Sequence, residues 1–91
     1  MSAATIPEVF LELPDERMRD LYGRIYSSLL ISGQLEAFRN AAQNDVFRFL
    51  NSISITGYTV QEIKEGLMGV HYALTYGSAL FLRNYCQVTA D

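Results

Sequence analysis

The sequence predicts an all-α fold of three main helices with an N-terminal arm, and three observations carry that expectation. Apolar side chains recur at spacings of three and four in three separate stretches. A full helix-start signal stands at Thr59-Val60-Gln61-Glu62. The one segment of alternating polar and apolar residues, Asn51 to Gly57, has no second strand to pair with and reads as a loop.

The 91 residues are one domain's worth, and 49% of them are apolar against 19% charged, a folding rather than a disordered composition. Residues 1–13 read as the arm and residues 14–91 as a single helical domain. In the arm, Ile6, Val9, Phe10, Leu11 and Leu13 lie among Pro7 and Pro14, and a short helical turn after Pro7 suits a proline at a first helical position. Val9 and Phe10 need a surface to dock on, either this chain's own core or a partner.

The first helix is expected from about Pro14 to Ser32. Pro14, Asp15 and Glu16 put a proline and two acids in its first turn, where the helix dipole favours negative charge. Met18, Leu21, Tyr22, Ile25 and Leu29 form its apolar stripe, and Gly33 sits where a left-handed stop belongs. Gly23 inside it costs about 1 kcal/mol relative to alanine. The second helix is expected from about Leu35 to Leu50, with Leu35, Phe38, Ala42, Val46 and Phe49 on one face, Phe47 and Leu50 widening it. The short link at Gly33 makes these two helices a hairpin.

The third helix opens at a capping box in which Thr59 and Glu62 satisfy each other's backbone amides, with Tyr58 and Ile63 at the positions of a hydrophobic staple. Val60, Ile63, Leu67, Val70, Leu74, Gly77 and Phe81 then form a coiled-coil-like seam. Beyond Gly66 the segment is apolar nearly all round, and a helix without a polar face belongs inside a structure. Two helices and an arm are little material to wrap it, because a short chain has a high ratio of surface to volume. Either the helix breaks near Gly69, or a second molecule supplies the cover. Gly69, Ala73 and Gly77 lie four apart in one row, a shallow groove that lets another helix approach closely. The expected interface residues are therefore Val9, Phe10, Gly69, Tyr72, Ala73, Tyr76, Gly77 and Leu80. Six of the seven basic residues are arginine, which interfaces favour over lysine.

Catalytic chemistry has no visible constellation. The sequence carries no phosphate loop, no paired-cysteine metal motif and no nucleophile elbow, so no cofactor or metal is expected. His71 has Leu67, Met68, Leu74 and Thr75 at the helical neighbour positions and no orienting acid, which makes it a core or interface histidine. Cys86 reads as a small buried hydrophobe, and a lone cysteine makes no internal disulfide. The net charge of −3 counts against a broad hold on nucleic acid or anionic lipid. The longest uncharged stretch, Gly66 to Leu82, is shorter and more polar than the roughly 20 apolar residues of a spanning helix. The N-terminus lacks a signal peptide's basic start and apolar run, so an intracellular, cytoplasmic or nuclear, protein is expected. Glu8, Glu12, Asp15, Glu16 and Asp20 make an acidic patch that reads as a solvated face.

The stretch Thr59 to Val70 resembles the first helix and turn of bacterial helix-turn-helix units, with Tyr72 to Arg83 as recognition helix. That helix offers bases and phosphates a single arginine. The order helix, glycine, helix, Thr-Val-led helix is also similar to the small mRNA-export and deubiquitinase-module subunits of the enhancer-of-yellow type. The match spans about half of the chain, and Gln34 stands where that family has a tryptophan. Together these readings favour a small non-catalytic interaction module, an adaptor, regulator or inhibitor subunit. It is expected to be a homodimer or bound to a protein partner through its apolar C-terminal helix. A helix-turn-helix DNA-binding regulator and a small subunit of a nuclear transcription or mRNA-export complex are the alternatives.

Overall fold

The computed structural model describes residues 6–85. Cys86, the side chain of Tyr85 and residues 1–5 of the arm lie outside that description. The described residues are all-helical, with no strand: α1 (Glu8–Leu11), α2 (Glu16–Ile31), α3 (Leu35–Asn40), a 3-10 helix (Gln43–Ser52), α4 (Val60–Tyr76) and α5 (Ser78–Tyr85).

The ends of α2 follow from local chemistry. Asp15 caps its start by accepting from the Arg17 amide at 2.9 Å. Its C-terminus closes on Gly33, whose φ of 75° is open to glycine without a Cβ penalty. The Gln34 amide donates to Leu29 and the Gly33 amide to Leu30, which satisfies two carbonyls that the helix leaves unpaired. Leu21, Tyr22, Ile25 and Leu29 are buried as the stripe requires.

The continuous second helix from Leu35 to Leu50 does not form. The α-helix stops at Asn40, and Ala41 and Ala42 take extended ψ values of 156° and 153°. The freed Ala41 carbonyl accepts from His71 Nε2 at 2.8 Å, so α4 itself supports the break. Asn40, Asn44 and Asp45 crowd this stretch with side chains that compete for backbone hydrogen bonds. The chain resumes as a 3-10 helix, where residues three apart eclipse, and Val46 and Phe49 accordingly share the buried face. Phe38 and Phe49 meet edge to face at 5.3 Å. A 3-10 helix rises about 2.0 Å per residue against 1.5 Å for an α-helix, so the same ten residues cover more of α4.

Helix α4 begins at Thr59 with both capping-box bonds made: Glu62 N–H to Thr59 Oγ1 at 3.1 Å, and Thr59 N–H to Glu62 Oε1 at 2.8 Å. It runs unbroken through Gly66 and Gly69 and stops at Tyr76. Gly77 then turns the chain with φ 101°, a region L side chains avoid, and α5 folds back over the bundle. From α5, Phe81 enters the core and packs edge to face on Phe10 at 5.9 Å and against Tyr22 at 5.6 Å.

This geometry corrects the expectation that one copy is too small to cover the apolar C-terminal segment. Gly66, Leu67, Gly69, Val70, His71 and Ala73 are all buried within the chain, wrapped by α2, α3, the 3-10 helix and α5. The arm completes the wall, with Phe10 and Leu13 buried in the same core. Of the rest of the seam, Ile63 and Phe81 are also buried, while Val60 is 59% exposed and Gly77 faces out.

Candidate functional site

The eight residues expected at an interface divide between the inside and the outside of the molecule. Phe10, Gly69 and Ala73 are buried within the chain. Val9 and Tyr72 are half-buried, and Tyr72 Oη accepts from Asn84 Nδ2 of α5 at 2.8 Å. Tyr76, Gly77 and Leu80 are exposed. The row Gly69, Ala73, Gly77 therefore does not act as one surface. A close neighbour does fill the space at Gly69, but it is Tyr22 of the same chain: a Cβ there would stand 2.7 Å from Tyr22 Cζ. The absent side chain makes room for that phenol ring between α2 and α4.

His71 is a core residue, as its sequence neighbourhood indicates. Its ring meets Phe38 edge to face at 5.3 Å and Nε2 engages Ala41, while buried Nδ1 has no hydrogen-bond partner among the described residues. The described residues contain no group of three His, Cys, Asp or Glu that could hold a metal ion, and no helix among them is long and apolar enough to cross a membrane. The helix-turn-helix reading needs a turn near Gly69, where α4 is continuous. Arg83 sits instead on α5, eight residues long.

The acidic patch is partly committed to a polar clasp that ties α2 to the start of α4. The Arg17 guanidinium pairs with Glu62 at 3.1 Å, donates to the Gly57 carbonyl at 2.9 Å and stacks 4.3 Å over the Tyr58 ring. Tyr58 O–H donates to Asp20 at 2.6 Å, and Asp20 also accepts from Arg24 Nε at 2.7 Å. The Thr59 amide and then Arg17 hold the Glu62 carboxyl below its ordinary value, and the Tyr58 hydroxyl does the same for Asp20. The same bond pushes Tyr58 above the usual phenol range. A small recess of about 170 Å³ lies beside this clasp, floored by Leu21, Tyr22 and Gly66.

The larger concavity, about 410 Å³, runs along the outer face of α2. Its lining includes Ile6 and Leu11 from the arm and Ser54 and Ile55 from the loop before α4. The floor is α2 itself from Arg19 to Ile31, roughly 18 Å of helix, with Gly23, Ser27 and Ser28 keeping it low. Apolar side chains stand out at this face: Ile31 is 82% exposed and Leu11 58% exposed. By contrast, the exposed Phe47 carries Lys64 Nζ 5.4 Å over its ring. Sequence reasoning missed the α2 groove. The available signal was that Ile31 falls off the stripe formed by Leu21, Tyr22, Ile25 and Leu29, on the same side as Gly23. The chain matches no family model, no curated protein and no solved structure.

Proposed function

We propose that this chain is a small, non-catalytic, intracellular protein–protein interaction module that docks through the outer face of α2. The observation that carries the reading is the groove between arm and loop, with Ile31 and Leu11 bare at its edge. An isoleucine 82% open to water contributes nothing to the core, and with the 58% exposed Leu11 at the same concavity it supports the reading of a surface that another molecule covers. The C-terminal helix, whose inner face is spent on the chain's own core, supports the reading only through the exposed Tyr76 and Leu80. An adaptor, regulator or inhibitor subunit fits this surface. No comparable observation favours a DNA-binding regulator or a nuclear-complex subunit.

A benzophenone amino acid placed at Ser27, on the groove floor, tests the reading in living cells. The expected result is a discrete protein adduct that disappears when Ile31→Asp is added. A Ser27 probe that captures no more than the same probe at exposed Thr56 overturns it.

A further inference from the structure

We infer that the 3-10 helix Gln43–Ser52 is one of two states of a conformational strap, and that His71 is the latch holding this one; the other state is the continuous α-helix from Leu35 that the spacing of apolar residues encodes. A 3-10 helix has poorer hydrogen-bond geometry than an α-helix, and runs beyond about four residues are uncommon. This one runs for ten. Residues 35–52 contain neither glycine nor proline, so no backbone rule forbids an α-helix through them. Leu35, Phe38, Ala42, Val46 and Phe49 keep α-helical spacing across the break. Asn40, Asn44 and Asp45 weaken a helix there without excluding it.

The break itself is an exchange of partners. In a continuous α-helix the Ala41 carbonyl accepts from the Asp45 amide, four residues on. Here the Asp45 amide donates to Ala42 at 2.9 Å instead, and the Ala41 carbonyl accepts from His71 Nε2 at 2.8 Å. His71 is 3% exposed, and its buried Nδ1 has no hydrogen-bond partner among the described residues. Winding the strap into an α-helix takes the Ala41 carbonyl away. The ring is then left with neither nitrogen bonded in its present place, which buried polar groups resist. The ring also meets Phe38 of α3 edge to face at 5.3 Å, so the latch sits where α3 ends and the strap begins. The output is a change of length. Ten residues span about 20 Å as a 3-10 helix and about 15 Å as an α-helix. Arg17 holds the Gly57 carbonyl, so residues 53–56 take up that difference. Ser54 and Ile55 of that stretch line the groove along α2, so the state of the strap is felt there.

NMR of the isotope-labelled full chain tests this in the wild type and in His71→Phe, which keeps a ring against Phe38 and removes the donor. In the wild type, Ala41 and Ala42 are expected to show the Cα shifts of extended backbone and no cross-peak between Ala41 Hα and the Asp45 amide. In His71→Phe both Cα shifts are expected to move into the helical range and that cross-peak to appear. His71→Gln, whose side-chain amide donates from near the place of Nε2, is expected to keep the wild-type pattern. A folded His71→Phe protein with Ala41 and Ala42 still extended overturns the inference, as does a His71→Gln protein that switches as fully as His71→Phe. If His71→Phe does not fold, relaxation dispersion of the wild type decides. Exchange on the microsecond-to-millisecond scale is expected at Ala41, Ala42 and Asp45, and Ala42→Pro is expected to abolish it. Proline fits the observed φ of −69° at Ala42, and the ψ of 156° at Ala41 suits a residue before proline, whereas a proline inside the α-helix breaks it. Absence of that exchange in the wild type, or its persistence in Ala42→Pro, then overturns the inference.

Discussion

Two helices of this molecule carry a glycine on a face where another surface can come close, and the two faces have opposite fates. On α4, Gly69 is closed by Tyr22 of the same chain, whose ring packs in turn on Phe81 and Phe10. On α2, Gly23 floors a groove whose edge leaves Ile31 and Leu11 in water. A small residue in a helix signals a close neighbour without saying whose. The chain fills the α4 site because a phenylalanine and a tyrosine from distant segments converge there. Among the described residues, the α2 site meets only ordinary contact from Ile6, 3.9 Å from a Cβ built at Gly23.

The comparison breaks most visibly at Phe81. This side chain is fully buried and joins α5 to the arm and to α2, so Phe81→Ala is expected to cost about 3–5 kcal/mol, read as a fall in the urea midpoint. An unchanged midpoint would show that α5 does not close the α4 face. The two glycines sharpen the contrast with one substitution each. Gly69→Ala drives a methyl into the Tyr22 ring and is expected to destabilise, with overpacking of about 1–3 kcal/mol outweighing the better helix propensity. Gly23→Ala meets only ordinary contact with Ile6 and is expected to stabilise the monomer by up to about 1 kcal/mol. Equal effects of the two substitutions on the thermal midpoint would erase the distinction.

A smaller effect comes from the clasp that fixes α4 against α2. Thr59→Ala removes the acceptor for the Glu62 amide and is expected to cost about 1 kcal/mol. The clasp also sets a pH window. Glu62 and Asp20 are held below their ordinary values, so their contribution is present above the ordinary carboxylate range and lost as acid protonates them. Tyr58 is raised, so its contribution is present below the ordinary phenol range and lost as alkali ionises it beside Asp20. The expected profile of denaturant midpoint against pH is a plateau with a fall at each end. Tyr58→Phe flattens the alkaline fall, and a fall unchanged in that variant would place its origin elsewhere.

Much of the fold was legible in the sequence because its signals are local. The stop at Gly33, the capping box at Thr59 and the stripe of α2 each depend on residues within one or two turns. The break at Ala41 was not legible, because it is held by His71, thirty residues away in sequence. The turn at Gly77 was ambiguous for a related reason: three glycines in one apolar stretch look alike, and only tertiary packing puts Gly66 and Gly69 inside a continuous helix and leaves Gly77 to reverse the chain. The assignment of Gly69 and Ala73 to an intermolecular surface failed on the same point, since neighbours of a helix face are chosen by the whole fold. Ile31 was visible in the sequence as an aliphatic residue off its stripe. Its position beside a groove depends on the arm and the loop, whose placement no local pattern encodes.

The central claim, that the α4 face is satisfied within the chain and the α2 face is not, meets its most direct test in the solvent paramagnetic relaxation of amide protons in the intact chain. The expected result is strong enhancement at Gly23, Ser27 and Ile31, with Gly69 and Ala73 protected. Enhancement at Gly69 and Ala73, with α2 protected, would contradict it.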